Sequence, residues 1–351
     1  MSKVNEPIRV NNTIVKNRIT MAPTVKFDYA GADGFVTEKH IDHYIKRAEY
    51  GCGLICVEAT AVTWDGRFAK NHLGLWDDSQ IEGHKVITKA CHEYGSVMLI
   101  QLNHTGITGN PEFGEAIGPS EVPIRNDTAK AREMSVDEIH EMQDHYLKAA
   151  IRAQKAGYDG VQLHGCHGYL INQFISKKTN HRNDEYGGSV ENRARFAGEI
   201  IKMIRNECGE DFIISIRTSG IEPDVDTAIA VAEEYVKVGC DYLQVSTGIE
   251  WDDPTVKANG DYYNEICSLG VRFHDHFKGR VPVSSVNTIN TPEKVRYLIE
   301  NDLTDTVDLG RALLADYSFT RAVLEGTEYK KCYGCKLCQY GPGMPHKCPQ
   351  N

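Results

Sequence analysis

The chain has no surplus of positive charge: 39 Lys and Arg stand against 49 Asp and Glu, a net charge of −10. A basic nucleic-acid surface is therefore not expected. No run of about 18 apolar residues occurs, so no membrane span is expected either. The N-terminus, MSKVNEPIRV, has no apolar signal core, which makes a cytoplasmic location the expectation. No Gly-x-Gly-x-x-Gly follows a strand-like run and no Walker loop occurs, which argues against a doubly wound nucleotide-binding sheet. Internal repeats of roughly 20–50 residues and low-complexity linkers are also absent. Cysteine is not scarce. Seven of the 11 are scattered from Cys52 to Cys267, mostly in apolar runs, where small buried thiols are expected. The other four crowd into the last twenty residues.

What is present is an alternation of short apolar runs and longer helical patterns. The expected strands are 19–22, 54–59, 97–102, 160–164, 212–217, 242–246, 281–285 and 306–310. A helix is expected over 37–50. Another over 135–156 opens on Ser135-Val-Asp-Glu138, a capping box. Pro292 takes the first helical position after Thr291. Gly157 and Gly239 stand where helices should stop. Eight strand–helix units in series imply a (β/α)₈ barrel, an α/β fold. Residues 1–330 form the barrel on this reading, and 331–351 form a cysteine-rich tail packed on it. The connection from 103 to 134 is long, and its Gly, Pro and Asn content predicts an excursion with a short hairpin.

Several strands end on a polar residue. Gln101 closes the third, His164 the fourth and Arg217 the fifth. Burying such groups unpaired costs a few kcal/mol each, and the C-terminal mouth is where barrel enzymes place their chemistry. A ligand rich in hydrogen-bonding edges would satisfy all three, as would pairing among themselves. After the eighth strand come Gly310 and Arg311. Glycine admits close approach of a ligand, and the arginine fork suits phosphate. Phosphate commonly binds at the loops after strands seven and eight.

The most informative stretch is His164-Gly165-Cys166-His167-Gly168-Tyr169. Two imidazoles can hold a carbonyl oxygen. A phenol with an ordinary pKa near ~10 stays protonated at neutral pH and can donate a proton. These six residues alone fit an ordinary loop equally well.

The longer segment His164–Ser176, followed by Thr179–Phe196, closely resembles the old yellow enzyme family of FMN-dependent NAD(P)H:flavin oxidoreductases and ene-reductases. The similarity runs from Asn17-Arg-Ile-Thr-Met-Ala-Pro23 to Gly310-Arg-Ala-Leu-Leu-Ala-Asp316. It implies FMN across the barrel mouth. Ala22, Pro23 and Thr24 would meet the flavin ring, with Ala59 beneath it and Gln101 on the pyrimidine edge. Arg217 would sit near the N1 end. Gly310 and Arg311 would hold the phosphate, with Asn287 assisting. His164 and His167 would hold a substrate carbonyl or the nicotinamide amide, and Tyr169 would supply the proton. The implied partners are NAD(P)H and a small activated alkene, with room for a homo-oligomer. The chain departs from the family at Val25, where relatives carry a flavin-tuning Thr or Cys, and at Phe27, a Tyr in some. It departs again at Val286-Asn-Thr-Ile289, usually glycine-containing, and at Ala315-Asp-Tyr317, usually Ala-Asp-Pro.

Cys332-x₂-Cys335-x₂-Cys338-x₉-Cys348-Pro349 has metal-ligand spacing. It echoes iron–sulfur ligation and also suits structural zinc, and unmetallated thiols remain a third reading. Larger family members place an iron–sulfur cluster here, with slightly longer spacings, and continue into a dinucleotide domain. The sequence stops at Asn351, so a single-domain enzyme is expected. Three functions compete: an FMN ene-reductase, an electron-transferring or demethylase-like relative using the cysteines, and a flavin-binding redox sensor without turnover.

Overall fold

A computed structural model describes residues 2–123, 130–335, 338, 340 and 348–350. Eight parallel strands close into a barrel. In chain order they are β1 (Ile19–Met21), β2 (Leu54–Ala61), β3 (Val97–Asn103), β4 (Gly160–Gly165), β5 (Ile213–Ser219), β6 (Tyr242–Ser246), β7 (Val283–Val286) and β8 (Thr306–Leu309). Each pairs with its sequence neighbours, and β8 closes on β1 through Asp308↔Thr20. This is the expected (β/α)₈ architecture.

The helices form where caps and apolar stripes demand them. Ser135 Oγ accepts from the Glu138 N–H, and the Glu138 carboxylate accepts from the Ser135 N–H, which fixes the start of helix Val136–Lys155. Helix Val190–Cys208 buries Phe196, Ile200, Ile201 and Ile204. Burying each side chain contributes roughly 1.5–3 kcal/mol. Phe196 also stacks on Phe174 at 4.3 Å. Truncating Phe196 to alanine would cost about 3–5 kcal/mol. Gly157 and Gly239 follow helices with φ of 82° and 103°, the left-handed conformation glycine permits.

An N-terminal hairpin, which the strand pattern did not reveal, closes the barrel floor. Ile8–Val10 pairs antiparallel with Thr13–Val15. Ile8, Val10 and Val15 cluster with Leu54, Cys56, Val97, Leu99, Ile213 and Tyr242 from the barrel interior. Above this apolar plug the inward positions turn polar. Gln101 Nε2 donates to Gln162 Oε1 (2.9 Å), and Gln162 Nε2 to Ser215 Oγ (3.4 Å). The barrel is therefore sealed at the bottom and polar towards its C-terminal mouth, where a ligand can enter.

Two expectations need correction. The excursion after β3 contains a two-residue pair, Ile117–Gly118 with Arg132–Glu133, that is parallel rather than a hairpin. One antiparallel bridge, Pro123↔Lys130, lies further along it. The seventh strand begins at Val283, not at 281. Proline cannot donate to a ladder, and Pro282 contributes only its carbonyl, accepting from the Leu243 N–H at 3.0 Å.

Candidate active site

β4 runs into the turn His164–Tyr169, and two left-handed residues shape that turn. His167 has φ 60° and Gly168 φ 78°. The His167 N–H donates to the Thr247 carbonyl (3.0 Å), and the Gly168 N–H to Asn172 Oδ1 (2.9 Å). Asn172 Nδ2 is in turn held by buried Glu222 at 2.7 Å. A non-glycine residue in this conformation is uncommon and persists where its surroundings enforce it. Here it brings His167 Nδ1 to 3.0 Å from His164 Nε2 and His167 Nε2 to 2.8 Å from Ser246 Oγ.

Burial, then His167 and the Arg217 guanidinium, push the His164 imidazole well below its ordinary pKa. Desolvation and Arg217 push His167 in the same direction, although its outer edge is open to solvent. Both rings are neutral at pH 7, and one proton bridges them. His164 Nδ1 makes no hydrogen bond within the protein. The Tyr169 ring lies 4.8 Å from His164 and stacks at 6.0 Å on Phe68, which lies 3.7 Å from His72. His72 Nε2 reaches the Ala59 carbonyl at 2.7 Å, tying this aromatic wall to β2. The two histidines and the phenol expected to act together are therefore together.

A second group faces the mouth from β1, β5, β7 and β8. One cavity of about 200 Å³ is lined by Ala22, Pro23, Thr24, Arg217, Asn287 and Gly310, with Arg311 beside them. Seven of the expected ligand-binding residues thus share one cavity. Ala59 and Gln101 do not line it; both are buried, and Gln101 spends its Nε2 on Gln162. The groups connect through β5, because Arg217 is the register partner of both His164 and Gln244.

Two polar residues at this mouth were missed by sequence reasoning. Asp308 lines the cavity. Burial pushes its carboxyl up to about 6, against the opposing pull of a Thr20 hydrogen bond and Arg217. Gln244 sits inside β6 with both amide atoms unpaired within the protein. Arg217 Nε and Asp308 Oδ2 are unpaired as well. Buried polar atoms are normally satisfied, so this concentration marks a surface built for a polar ligand. Asp308 and Gln244 were legible as polar residues at inward strand positions. Phe68 and His72 gave no such signal.

The loop after β7 replaces glycines by strain. Asn287 and Thr288 both take left-handed backbone, φ 89° and 51°. Thr288 is held through its carbonyl by Lys294 Nζ (3.3 Å), and Asn287 Oδ1 accepts from Asn264 Nδ2 (3.2 Å). At Gly310 φ is ordinary, and an added Cβ would meet only Thr24 Oγ1 at 3.7 Å. Packing does not require glycine there, but the pair φ −104°, ψ −92° lies outside the regions open to other residues.

The four tail cysteines line one further cavity with Arg311, Leu314 and Tyr340. It adjoins the first, because Arg311 and Cys332 line both. Asn290 Nδ2 holds the Cys332 carbonyl at 3.0 Å. Among the described residues, no three of the four sulfurs lie within 4.8 Å of one another; His164, Cys166 and His167 form the one such His/Cys/Asp/Glu group. Cys52 through Cys267 are all buried, as expected. Among the described residues no helix is long and apolar enough to cross a membrane.

The chain matches the profile of the NADH:flavin oxidoreductase / NADH oxidase family over residues 3–330. It is 35% identical over 342 residues to an NADH oxidase of Thermoanaerobacter brockii, covering 94% of this chain and 52% of that protein. The structure is similar to 2-naphthoyl-CoA reductase in complex with 2-naphthoyl-CoA, with a TM-score of 0.85 and 27% identity over 95% of this chain and 54% of that one. It is also similar to the old yellow enzyme homologue of Zymomonas mobilis, with a TM-score of 0.80 and 29% identity over 94% of both chains. The chain spans about half the length of the first two of these relatives. Barrel, mouth and sequence agree: the chain belongs to the NADH:flavin oxidoreductase / NADH oxidase family, the family of old yellow enzyme.

Proposed function

We propose that the protein holds FMN across the barrel mouth and uses NAD(P)H to reduce an activated C=C bond. The observation that carries this reading is one mouth with two adjoining parts. One is a cavity with cationic and orphaned polar groups; the other is a neutral His–His–Tyr set. The donor set fits FMN: Arg311, Gly310 and Asn287 for a phosphate, Arg217 for the electron-rich end of a flavin, and Ala22, Pro23 and Thr24 against its ring. Ala59 and Gln101, both buried and outside the lining of this cavity, are assigned the floor and the pyrimidine edge on the family resemblance. FMN, when bound, supplies hydride chemistry.

The chain's own residues do the rest. A substrate oxygen that displaces the hydrogen bond between His164 Nε2 and His167 Nδ1 would accept from their neutral N–H groups in its place, and these stabilise the negative charge that grows there. Their neutrality matters, because a cation would bind anions indiscriminately. Tyr169 holds its proton beside them and delivers it to the carbon next to the carbonyl. Arg217 offsets negative charge at the flavin end. The reading is tested by denaturing the purified protein and identifying the released flavin. FMN is expected; a protein that neither carries nor takes up FMN would reject it.

A second reading concerns the tail. We infer that the four cysteines hold an iron–sulfur cluster rather than zinc. A tetrahedral zinc with Zn–S bonds of about 2.3 Å sets its sulfurs about 3.8 Å apart. The four cysteines line one cavity, and among the described residues no three of their sulfurs lie within 4.8 Å of one another, a looser set than a closed zinc site requires. Shared lining by Arg311 and Cys332 sets the cage beside the proposed flavin phosphate, which suits an electron-transferring relative. Iron, sulfide and zinc assays on anaerobically purified protein and on Cys335→Ser decide it. Iron and sulfide lost in the variant support the cluster; stoichiometric zinc contradicts it.

A further inference from the structure

Outside the mouth, a second cleft gathers positive charge in a chain that is acidic overall. It lies between helix Glu38–Glu49, the segment 26–29 and the segment 314–317, with Tyr340 on one wall, and measures about 250 Å³. Its lining carries Lys26, Lys39, Lys46 and Arg47 against a single carboxylate, Asp42. That carboxylate is spent at the exposed rim on Lys46, at 3.4 Å.

The two inner cations are buried. Lys26 is 1% exposed and Arg47 7%. Arg47 gives Nη1 to the His43 carbonyl (2.8 Å) and Nη2 to the Leu313 carbonyl (2.6 Å), while its Nε has no partner. Among the described residues no carboxylate lies within ion-pair distance of either cation. Lys26 Nζ stands 3.9 Å from the Tyr340 ring centroid and 5.1 Å from that of Tyr29.

Glu58 is the acid nearest to Lys26, but its Oε2 accepts from the Lys26 backbone N–H at 2.5 Å. Burial pushes its carboxyl up to about 7, so it is only partly a counter-charge at neutral pH. His43, also buried in the lining, has Nε2 unpartnered. A buried charge without a partner is costly. Here two such cations of one sign, mutually repelling, converge on one open cleft with an orphaned imidazole nitrogen.

We propose that this cleft is an anion site that binds a phosphoryl group, with Arg47 and Lys26 as its inner ligands and Lys39 at the rim. The Arg47 guanidinium, with Nη1 and Nη2 held by carbonyls, keeps its Nε–H without a partner, and with the Lys26 ammonium it offers charge-assisted donors to an oxyanion. Among the described residues only Glu58 and Cys338 add negative charge beside Lys26, and a phosphoryl dianion supplies the rest. The site shares no lining residue with the cavity of Arg217 and Asn287, although it meets the cysteine-lined cavity at Leu314 and Tyr340, and it does not depend on the flavin reading.

The test is calorimetric titration of FMN-saturated protein with inorganic phosphate and with pyrophosphate, at low ionic strength. One site per chain is expected. Lys26→Met keeps the apolar stem and should weaken binding by at least about 10-fold, the loss of one charge-assisted contact. Arg47→Met should do the same. Arg311→Ala should leave it unchanged, and Asp42→Asn should tighten it. Circular dichroism checks that each variant is folded; if Arg47→Met is not, Lys26→Met decides alone. The absence of binding to wild type, or wild-type affinity in folded Lys26→Met, would overturn the proposal. So would loss of binding in Arg311→Ala, which would place the ion in the mouth. If the protein takes no FMN, the same titration in the Arg311→Ala background still reads this cleft.

Discussion

Glu58 should give the fold a pH dependence that one substitution removes. It lies at the irregular step of β2, where the register slips between Val57 and Thr60. The slip turns Glu58 from the barrel interior to Tyr44 and His40 of the first helix. Burial raises its carboxyl from 4.5 to about 7, outweighing the Lys26 N–H, the Lys26 charge and the Tyr44 hydroxyl. The folded chain therefore keeps a proton that the unfolded chain loses above 4.5. Stability from this group is complete below pH 4.5 and is lost as pH rises through 7. The gap is worth about 3 kcal/mol, at 1.36 kcal/mol per pKa unit. Glu58→Gln keeps an acceptor for the Lys26 N–H and does not titrate. Urea unfolding of both proteins between pH 5 and 8 isolates the effect, because the buried histidines are common to both. The variant should gain on the wild type by about 2–3 kcal/mol across that window. A difference that stays constant with pH would refute the reasoning.

Tyr169→Phe should slow alkene reduction about 10²–10⁴-fold while leaving flavin reduction by NAD(P)H near wild type; stopped-flow measurement of each half-reaction checks this. Arg311→Ala should weaken FMN binding by about 10- to 100-fold, the loss of a charge-assisted phosphate contact, measured by flavin fluorescence. Thr288→Gly removes about 1–2 kcal/mol of left-handed strain and adds about 0.5–1 kcal/mol of unfolded-chain entropy. Thermal unfolding should therefore show a protein as stable as wild type or up to about 1.5 kcal/mol more stable.

The barrel was legible because its strands are short, apolar and regularly spaced, and because Ser135, Thr291, Gly157 and Gly239 carry cap chemistry that acts locally. Strand ends moved by one or two residues where pairing partners decide them, as at Pro282. The hairpin Ile8–Val15 escaped notice because its apolar residues gain meaning only against Leu99 and Tyr242, far away in sequence. Gln101, His164 and Arg217 stood out as polar residues closing apolar strands. Asp308 and Gln244 are polar at comparable depths, but their strands run on to Leu309 and Ser246, so neither stood out as a group that closes a strand. Phe68 and His72 reach Tyr169 and Ala59 across a long loop, a placement no local pattern encodes. The left-handed Asn287 and Thr288 explain how a loop without glycine can still take the path of one that has it.

The most direct test of the central claim is an anaerobic titration of the purified protein with NADH or NADPH, followed by addition of an enone. The account predicts that the visible absorption of bound FMN bleaches with the nicotinamide and returns stoichiometrically with the enone, while the enone loses its C=C bond. A protein without flavin, or a bound flavin that neither nicotinamide reduces, would contradict it. A reduced flavin that the enone cannot reoxidise would keep the family assignment and reject the alkene.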